Sequence, residues 1–316
     1  IMPSHRERGF HGTGTCGVFG ATAAAGRVLG LNPSQLACAF GIAGSQAAGL
    51  NECIHDGTST LIFHAGRVGK NGIEAVLLTK AGLTGPATVL EGSRGFFRAY
   101  ADAVDESLLT SGLGQRYSVH GTSFRPFFGV TSTIAASGAM AQIAQRRGGI
   151  KLSDVERINV FCNPVVARDF ADSNPQTLFA ARVSVPFNVA LVLVRGAVLM
   201  RDLADQDLLD PDIRRMLPQI KLVADSSCPR FGSTVEVVFK TGEIERLPMH
   251  SWRGDSIESI TWDEVVDKFH QLLEAAVAKT DRDAIVQAVA DMENLDGAAL
   301  AGRLRKAIPH GSPKAA

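Results

Sequence analysis

Apolar residues recur every three or four positions through most of residues 15–115, which is the spacing of one helix face. Asn32 followed by Pro33 is typical of a helix start. Small residues are frequent, as at 43–49, and favour closely packed helices, although an alanine-rich composition would also give this pattern. The helices predicted here cover 21–29, a segment from 33 onward, 66–81, 96–104 and 107–113.

The pattern becomes mixed near Ser118. Residues 155–162 alternate apolar and polar side chains, which predicts a half-buried strand. Two further strand-like runs flank Thr241-Gly242, which predicts a hairpin. The apolar run 183–194 is compatible with a helix or a strand. The other elements predicted in this block are helices at 127–147 and 211–217 and a strand at 219–224.

Strand patterns end after Pro248 and helical spacing returns. Thr261 and Glu264 have the spacing of a capping box. The helices predicted after it cover 262–278, 282–292 and 300–308, and we expect the tail from Pro309 to be disordered. A helical, then mixed, then helical order predicts that the last helices return to the first domain.

Composition excludes several classes of partner. The chain has 316 residues, enough for one large domain or two, and its 32 basic and 32 acidic residues give a net charge of zero. Without a basic run, we expect no nucleic-acid partner. The most apolar window, 183–200, contains Pro186 and Arg195, so we predict buried core there and no membrane span.

The cysteines argue against a metal or disulfide framework. They are scattered and form no CxxC pair, and we therefore expect no zinc site. No secretory signal is visible at the start of the chain. A reducing cytoplasm is the setting we expect. The five cysteines are Cys16, Cys38, Cys53, Cys162 and Cys228.

The segment 9–20, GFHGTGTCGVFG, carries the clearest candidate chemistry. Its glycines let a backbone approach a ligand, Thr13 and Thr15 can each cap a helix, and free N–H groups of a first turn attract anions. His11 would then be a titratable group beside an anion cradle, suited to acid–base chemistry. The alternative is an ordinary loop with a structural histidine.

Other motifs carry weaker signals. Lys240-Thr241-Gly242 lies at the predicted turn and is interpreted as a turn sequence rather than a catalytic motif. The GxGxxG spacing at 12–17 follows no predicted strand and therefore does not indicate a dinucleotide site. His64 is a candidate ligand-binding or structural histidine. Arg125 precedes a proline and could clamp a carboxylate or lie on the surface.

Four segments together resemble the MmgE/PrpD family, in the order and spacing of that family. They are GFHGTGTCGVFGATAAAGRVLGLNPSQLACAFGIAGSQAAGL at 9–50, HDGTSTLIFHAG at 55–66, AGLTGPATVLEGSRGFF at 81–97 and NPQTLFAARVSVPF at 174–187. The resemblance extends from about Gly9 to about Leu304. The family includes 2-methylcitrate dehydratase, cis-aconitate decarboxylase and iminodisuccinate epimerase.

The resemblance implies an all-α helical domain, completed by C-terminal helices, with an inserted α+β lid domain. On this chain the helical domain would cover 1–120, the lid 121–252 and the returning helices 253–308. The resemblance also implies a helical segment upstream of Ile1, a homodimer and no metal or other cofactor. The tail at 309–316 stays outside the predicted domains.

The resemblance also implies roles for individual residues. His11 matches the family's active-site histidine in GxHxTGT and would be the acid–base residue. Arg125 matches the lysine of the family's lid hinge and would bind a substrate carboxylate. His64 is a residue of the family pattern that this chain retains. We expect Thr13, Thr15, His64 and Arg125 to bind substrate, with Thr13 and Thr15 in the anion cradle.

Three departures from the family pattern remove polar groups. Family members usually have a lysine ahead of the HxG motif, at a position that falls near Leu61, and this chain has none there. Val130 stands where some members have histidine, and Phe187 stands where some have tyrosine. These departures argue against cis-aconitate decarboxylation. The leading hypothesis is a lyase or isomerase of a small polycarboxylate, similar to 2-methylcitrate dehydratase. The alternative is a degenerate or truncated member without turnover.

Overall fold

The computed structural model of the protein describes residues 1–126, 128–196, 203–252, 254–255 and 257–307. The chain forms two compact units. Ile1–Ser118 and Val165–Ser184 make up the first, and Val119–Pro164 with the described residues from Val185 onward make up the second. The tail from Pro309, for which we predict disorder, lies outside the described residues.

Helices account for most of the regular structure. In chain order they are α1 (Ser4–Glu7), α2 (Gly12–Thr15), α3 (Gly17–Val28), α4 (Pro33–Gly44), α5 (Glu52–His55), α6 (Thr60–Lys80), α7 (Phe96–Tyr100), α8 (Ser107–Thr110), α9 (Thr131–Arg146), α10 (Pro164–Asp169), α11 (Leu178–Val183), α12 (Val185–Arg195), α13 (Pro211–Met216), α14 (Trp262–Leu273), α15 (Lys279–Ala290) and α16 (Gly297–Ala307). Short 3₁₀ helices lie at Ser118–Gly121, Leu152–Asp154, Asp205–Leu209, Leu217–Gln219 and Met292–Asn294.

The first unit is built around α3, α4 and α6, which pack against one another. Its core consists of Val18, Ile42, Ala43, Ala47, Ala75, Phe96 and Phe97. Gly72 of α6 lets α3 come close, since a Cβ at this position would lie 2.6 Å from the Cβ of Ala21. This contact supports the close helix packing that the small residues predict.

The helix start predicted at Asn32-Pro33 is confirmed at α4. The Asn32 side chain accepts a hydrogen bond from the Gln35 N–H at 2.9 Å, and the Gln35 side chain accepts one from the Asn32 N–H at 3.0 Å. Pro33 occupies the first helical position, where no intrahelical N–H bond is lost. The three residues therefore fix the beginning of α4 locally.

The second unit contains a four-stranded mixed sheet in the order β2-β1-β3-β4. The strands are β1 (Val155–Cys162), β2 (Ile220–Ala224), β3 (Ser233–Phe239) and β4 (Ile244–Met249). β1 is central: Ile158 lies opposite Ile220 of parallel β2 and opposite Val237 of antiparallel β3. The strand predicted at 155–162 is confirmed.

β3 and β4 form the hairpin predicted around Thr241-Gly242. The Phe239 N–H donates to the Glu243 carbonyl at 2.9 Å, and the Gly242 N–H donates to the Phe239 carbonyl at 2.8 Å. These two bonds close the turn, and the turn sets the register of the hairpin. The interpretation of Lys240-Thr241-Gly242 as a turn sequence is therefore confirmed.

Two helices cover the sheet. α9 packs against β3, β4 and α12, and α12 also contacts β2. The run 183–194, for which the sequence leaves helix and strand open, forms part of α11 and most of α12. The buried core of this unit includes Ile134, Met140, Ile143, Val155, Ile158, Val160, Phe187, Leu191, Val235 and Val237.

The predicted fold class is wrong. We expected an all-α helical domain, completed by C-terminal helices, with an inserted α+β lid, whereas the chain is a mixed α and β structure with a four-stranded mixed sheet. The unit that contains this sheet takes the larger share of the chain. The reason is physical: β3 is buried along nearly its whole length and β1 at alternate positions, and both contribute to the core of their unit.

Candidate functional site

The backbone of His11 is fixed by a neighbouring segment of the first unit. The His11 N–H donates to the Gly49 carbonyl at 2.9 Å, and Phe10 and Leu50 form an antiparallel bridge. The side-chain amide of Asn51 donates to the Phe10 carbonyl at 3.1 Å. These contacts hold the start of the glycine motif independently of the His11 ring.

The motif requires glycine at position 14. A Cβ on Gly14 would lie 2.4 Å from the carbonyl oxygen of Ala48, a distance that real Cβ atoms do not adopt. The absence of a side chain lets the motif lie directly against the segment that contains Gly49. That segment in turn borders His64, since a Cβ on Gly49 would be 3.6 Å from His64 Cε1.

The structure brings His11 and His64 together. Their Nδ1 atoms are hydrogen-bonded at 2.8 Å, and their ring centroids are 5.0 Å apart with an interplanar angle of 38°. His64 projects from α6 and is 6% exposed, while His11 is half-buried. The sequence singles out each histidine, but the pair joins residues 53 positions apart and has no local signal.

The hydrogen bond fixes complementary tautomers in the neutral pair. A neutral imidazole carries a proton on one nitrogen and a lone pair on the other. The ring that donates from Nδ1 therefore presents a basic Nε2, and the ring that accepts presents an Nε2–H. The pair thus combines one proton acceptor with one proton donor.

Burial keeps both rings neutral. It lowers the pKa of His11 to about 4, with the charges of His64 and Arg6 adding to the effect. Burial also lowers the pKa of His64, with a further contribution from Arg67. Since an unperturbed imidazole has a pKa of about 6.5, both histidines can act as a base or hydrogen-bond donor at neutral pH.

His5 supports the site, and no sequence pattern reveals it. The buried ring donates from Nδ1 to the Tyr100 carbonyl at 3.0 Å. Nε2 then accepts a hydrogen bond from the Thr15 hydroxyl at 2.7 Å. Burial lowers the pKa of His5, which favours this neutral tautomer. His5 therefore ties the glycine motif to α7, through contacts that are remote in sequence.

The two threonines of the motif lie in different environments. Thr13 is exposed, whereas Thr15 is fully buried with its hydroxyl held by His5. The predicted capping by these threonines is wrong, because His11 is the N-cap of α2 and Cys16 that of α3, both without a side-chain cap bond. Contact of Thr13 and Thr15 with substrate stays a prediction.

A cavity of about 470 Å³ lies beside His64 within the first unit. Arg67 lies on its wall, with its guanidinium carbon 5.9 Å from the centre of the Phe63 ring. Sequence reasoning missed Arg67, although its three-residue spacing from His64 on a helix signals a shared face. Hydroxyl and acidic groups of the wall belong to Thr58, Thr60, Glu52 and Asp56.

Arg125 belongs to the second unit and is half-buried. Its Nη1 donates to the Gly129 carbonyl at 3.0 Å, and its own carbonyl accepts a hydrogen bond from Lys268 Nζ. Burial lowers the pKa of Lys268, and the positive charge of Arg125 lowers it further. Binding of a carboxylate by Arg125 stays a prediction.

The three departures from the family pattern lie at distinct places. Leu61 is half-buried in the first turn of α6, Val130 is the N-cap of α9, and Phe187 is fully buried in α12.

In the part of the chain that the structure describes, no group of three or more His, Cys, Asp or Glu could hold a metal ion. No helix in that part is long and apolar enough to cross a membrane.

Two family models match the chain. The MmgE/PrpD N-terminal domain matches residues 1–108, and the MmgE/PrpD C-terminal domain matches residues 131–294. The chain belongs to the MmgE/PrpD family. The resemblance identified from the sequence is therefore confirmed, and His11 and His64 both lie within the match to the family's N-terminal domain.

Three curated relatives carry names that describe an activity. The chain is 24% identical to cis-aconitate decarboxylase of Mus musculus over 94% of its length and 62% of that protein. It is 23% identical to cis-aconitate decarboxylase of Homo sapiens, over 94% of this chain and 63% of the relative. The cis-aconitate decarboxylase-like protein oryM of Aspergillus oryzae is 25% identical, over 91% and 63%. The chain spans less than two thirds of the length of these relatives.

Proposed function

We propose that this protein is a lyase or isomerase that acts on a small di- or tricarboxylate by removing a proton next to a carboxylate. The observation that carries the proposal is the hydrogen bond between His11 and His64, of which His64 lines a cavity. Membership of the MmgE/PrpD family and the names of the relatives, cis-aconitate decarboxylases, support a small carboxylate as the substrate class.

His11 is the acid–base residue in this proposal. With its Nδ1–H donated to His64, its Nε2 lone pair takes the proton from the substrate carbon. The Nε2–H of His64 then binds the substrate and can protonate a departing hydroxyl. In a dehydration the C–H and C–O bonds break, a C=C bond forms, and the hydroxyl leaves as water.

The negative charge that develops on the substrate needs cationic and donor groups. We propose that Arg67 and the Nε2–H of His64, both on the cavity wall, supply them. Thr13, which is exposed on the glycine motif, is proposed as a further donor. Binding of a substrate carboxylate by Arg125, in the second unit, is a separate proposal. Thr15 contributes by holding His5 and the glycine motif in place, since its hydroxyl is already engaged.

The proposed reaction is closest to that of 2-methylcitrate dehydratase. Leu61, Val130 and Phe187 are apolar at positions where the family often has polar groups, which disfavours decarboxylation. The same departures favour a second candidate, a family member that keeps the fold without turnover.

We also propose a homodimer, tested by sedimentation, and a cytoplasmic location, which the unpaired cysteines favour and fluorescent tagging would test.

Proton NMR in D₂O tests the reaction directly. The protein is mixed in turn with 2-methylcitrate, citrate, cis-aconitate and iminodisuccinate. We expect loss of a C–H signal next to a carboxylate, or a new alkene signal, with at least one of these acids. His11→Gln should lower the rate about 10²- to 10⁴-fold, the usual range for a general acid or base.

His120→Gln is the matched control, since His120 is an exposed histidine in a 3₁₀ helix. It should retain the parent rate, and Arg125→Ala should chiefly raise KM. Turnover that is the same in His11→Gln and the parent would refute the assignment of His11. A folded protein that exchanges no proton in any of the four acids would favour the non-catalytic candidate.

A further inference from the structure

The backbone on both sides of Arg125 is fixed within the second unit. The Phe124 N–H donates to the Gly254 carbonyl at 2.5 Å. Gly254 has a φ of +102°, and a Cβ there would lie 2.3 Å from the Phe124 carbonyl oxygen, so this approach requires glycine. On the other side, Gly129 has a φ of +125°, and a Cβ there would lie 2.2 Å from Thr133 Oγ1. Arg125 therefore lies in a tightly specified segment.

Lys268 of α14 holds the backbone of Arg125 itself. Its Nζ donates a hydrogen bond to the Arg125 carbonyl, which lies 143 positions away in the sequence. The capping box at Thr261 fixes the start of α14, so Lys268 projects from a regular helix. A separate bond, from Arg125 Nη1 to the Gly129 carbonyl at 3.0 Å, holds the guanidinium. Arg125 is thus fixed at its backbone and at one nitrogen of its side chain.

The two positive charges have no carboxylate to compensate them. Lys268 and Arg125 are both half-buried, and neither forms an ion pair with an acidic group of the described residues. Glu264, one helical turn before Lys268, accepts from the Thr261 N–H at 2.7 Å and from its hydroxyl at 3.0 Å, so it serves the capping box. Since an uncompensated charge is costly away from water, this arrangement favours an anion as the missing partner.

The guanidinium of Arg125 keeps the edge that can bind a carboxylate. Nη1 is engaged by the Gly129 carbonyl, whereas Nε and Nη2 donate to no acceptor among the described residues. These two nitrogens present parallel N–H groups, which match the two oxygens of a carboxylate. Because the backbone and Nη1 are already held, this edge loses little freedom when an anion binds.

We propose that Lys268 is a positioning residue, which orients Arg125 so that its Nε–Nη2 edge binds a carboxylate of the substrate. Lys268 acts through the Arg125 carbonyl, and its charge adds to that of the guanidinium. The inference rests on the proposed function, since it takes Arg125 as the residue that binds a substrate carboxylate. It gives α14, in which the sequence singles out no site residue, a part in that binding.

Two substitutions of Lys268 separate positioning from packing. Lys268→Met keeps the apolar stem but cannot donate, whereas Lys268→Arg keeps the charge and a donor. With an acid that is turned over, Lys268→Met should raise KM about tenfold, the effect of losing a hydrogen bond from a charged group. The kcat should stay within about twofold, because the proton-transfer groups are unchanged. Lys268→Arg should recover most of the loss. Calorimetric titration of 2-methylcitrate, citrate, cis-aconitate and iminodisuccinate measures Kd, which should change as KM does.

Lys279→Met is the matched control, since Lys279 of α15 is 77% exposed and pairs with Asp283 at 2.8 Å. It should bind as the parent does, with circular dichroism reporting the fold of each protein. In an Arg125→Ala background, Lys268→Met should weaken binding little further, because it acts through the guanidinium that has been removed.

The outcomes separate this inference from the proposed function. An acid that binds without turnover refutes the proposed function, and weaker binding of that acid by Lys268→Met still supports the inference. The inference is overturned if Lys268→Met and Lys279→Met bind alike, or if Lys268→Met keeps its full effect in the Arg125→Ala background. It is also overturned if the parent protein binds none of the four acids.

Discussion

Burial changes what three histidines of the first unit can do. His5, His11 and His64 all have lowered pKa values, and burial is the largest cause for each. An imidazole that resists protonation remains a base and a hydrogen-bond acceptor under mildly acidic conditions. The same property makes the folded protein sensitive to acid, since its unfolded chain takes up protons more readily.

Stability should therefore fall as the pH falls from about 6.5, the pKa of an unperturbed histidine, towards the His11 pKa of about 4. Within this window the unfolded state binds more protons than the folded state, so acid favours unfolding. Urea denaturation at several pH values measures the slope. His11→Gln should reduce this slope, and equal slopes in His11→Gln and the parent protein would contradict the lowered pKa of His11.

Thr15 and Thr13 offer a matched pair for the contact with His5. Thr15→Val keeps the shape of a buried side chain but leaves His5 Nε2 without its donor, which should cost about 1–3 kcal/mol of unfolding free energy. Thr13→Val alters an exposed hydroxyl and should change stability by less than about 0.5 kcal/mol. Chemical denaturation measures both, and equal effects would show that the His5–Thr15 bond contributes nothing.

At the scale of secondary structure, glycine positions decide how closely segments pack. Gly14→Ala would place a Cβ 2.4 Å from the Ala48 carbonyl oxygen, so we expect a loss of about 1–3 kcal/mol and reduced turnover. Gly20 of α3 has nothing within 4 Å of its added Cβ. Gly20→Ala should therefore stabilise the protein by up to about 1 kcal/mol. Thermal denaturation of the two variants would contradict this account if Gly14→Ala were as stable as the parent.

Elements with local signals could be predicted from the sequence. The capping box of Thr261 and Glu264 is present at α14, where the Thr261 side chain accepts from the Glu264 N–H at 3.2 Å. Boundaries without such signals were less accurate: α6 begins at Thr60 although the pattern predicts 66, because the glycines at 66 and 69 weaken the helical signal. Packing of α6 against α3 and α4 supplies what the local sequence lacks.

At the scale of the whole molecule, the fold class and the site depend on contacts that are distant in sequence. The sheet joins β1 to β3 across the intervening helices α10–α13, and His11 meets His64 from separate elements. The prediction of an all-α helical domain with an inserted α+β lid came from the family resemblance and from the helical spacing that is frequent along the chain. The family resemblance identified His11 and His64 individually, but only the three-dimensional structure pairs them and adds His5 and Arg67.

The balance of charge has a consequence for the entire protein. With a net charge of zero and a sequence pI of about 7.2, molecules have little mutual repulsion at neutral pH. Solubility should therefore be lowest near pH 7 and rise towards pH 8.5, where the folded protein carries negative charge. Precipitation by polyethylene glycol at a series of pH values measures this, and a solubility maximum near pH 7 would contradict it.

If the proposed reaction takes place, the 2.8 Å hydrogen bond between the two Nδ1 atoms makes the tautomers of the pair depend on the preceding turnover. If one ring gains a proton at Nε2 while the other loses one, transfer of the bridging proton leaves both rings neutral again, with their tautomers exchanged. The free enzyme after turnover is then an isomer of the enzyme that began the reaction. Such a protein would relax between two resting forms before each new forward cycle, and would follow the kinetics of an iso mechanism.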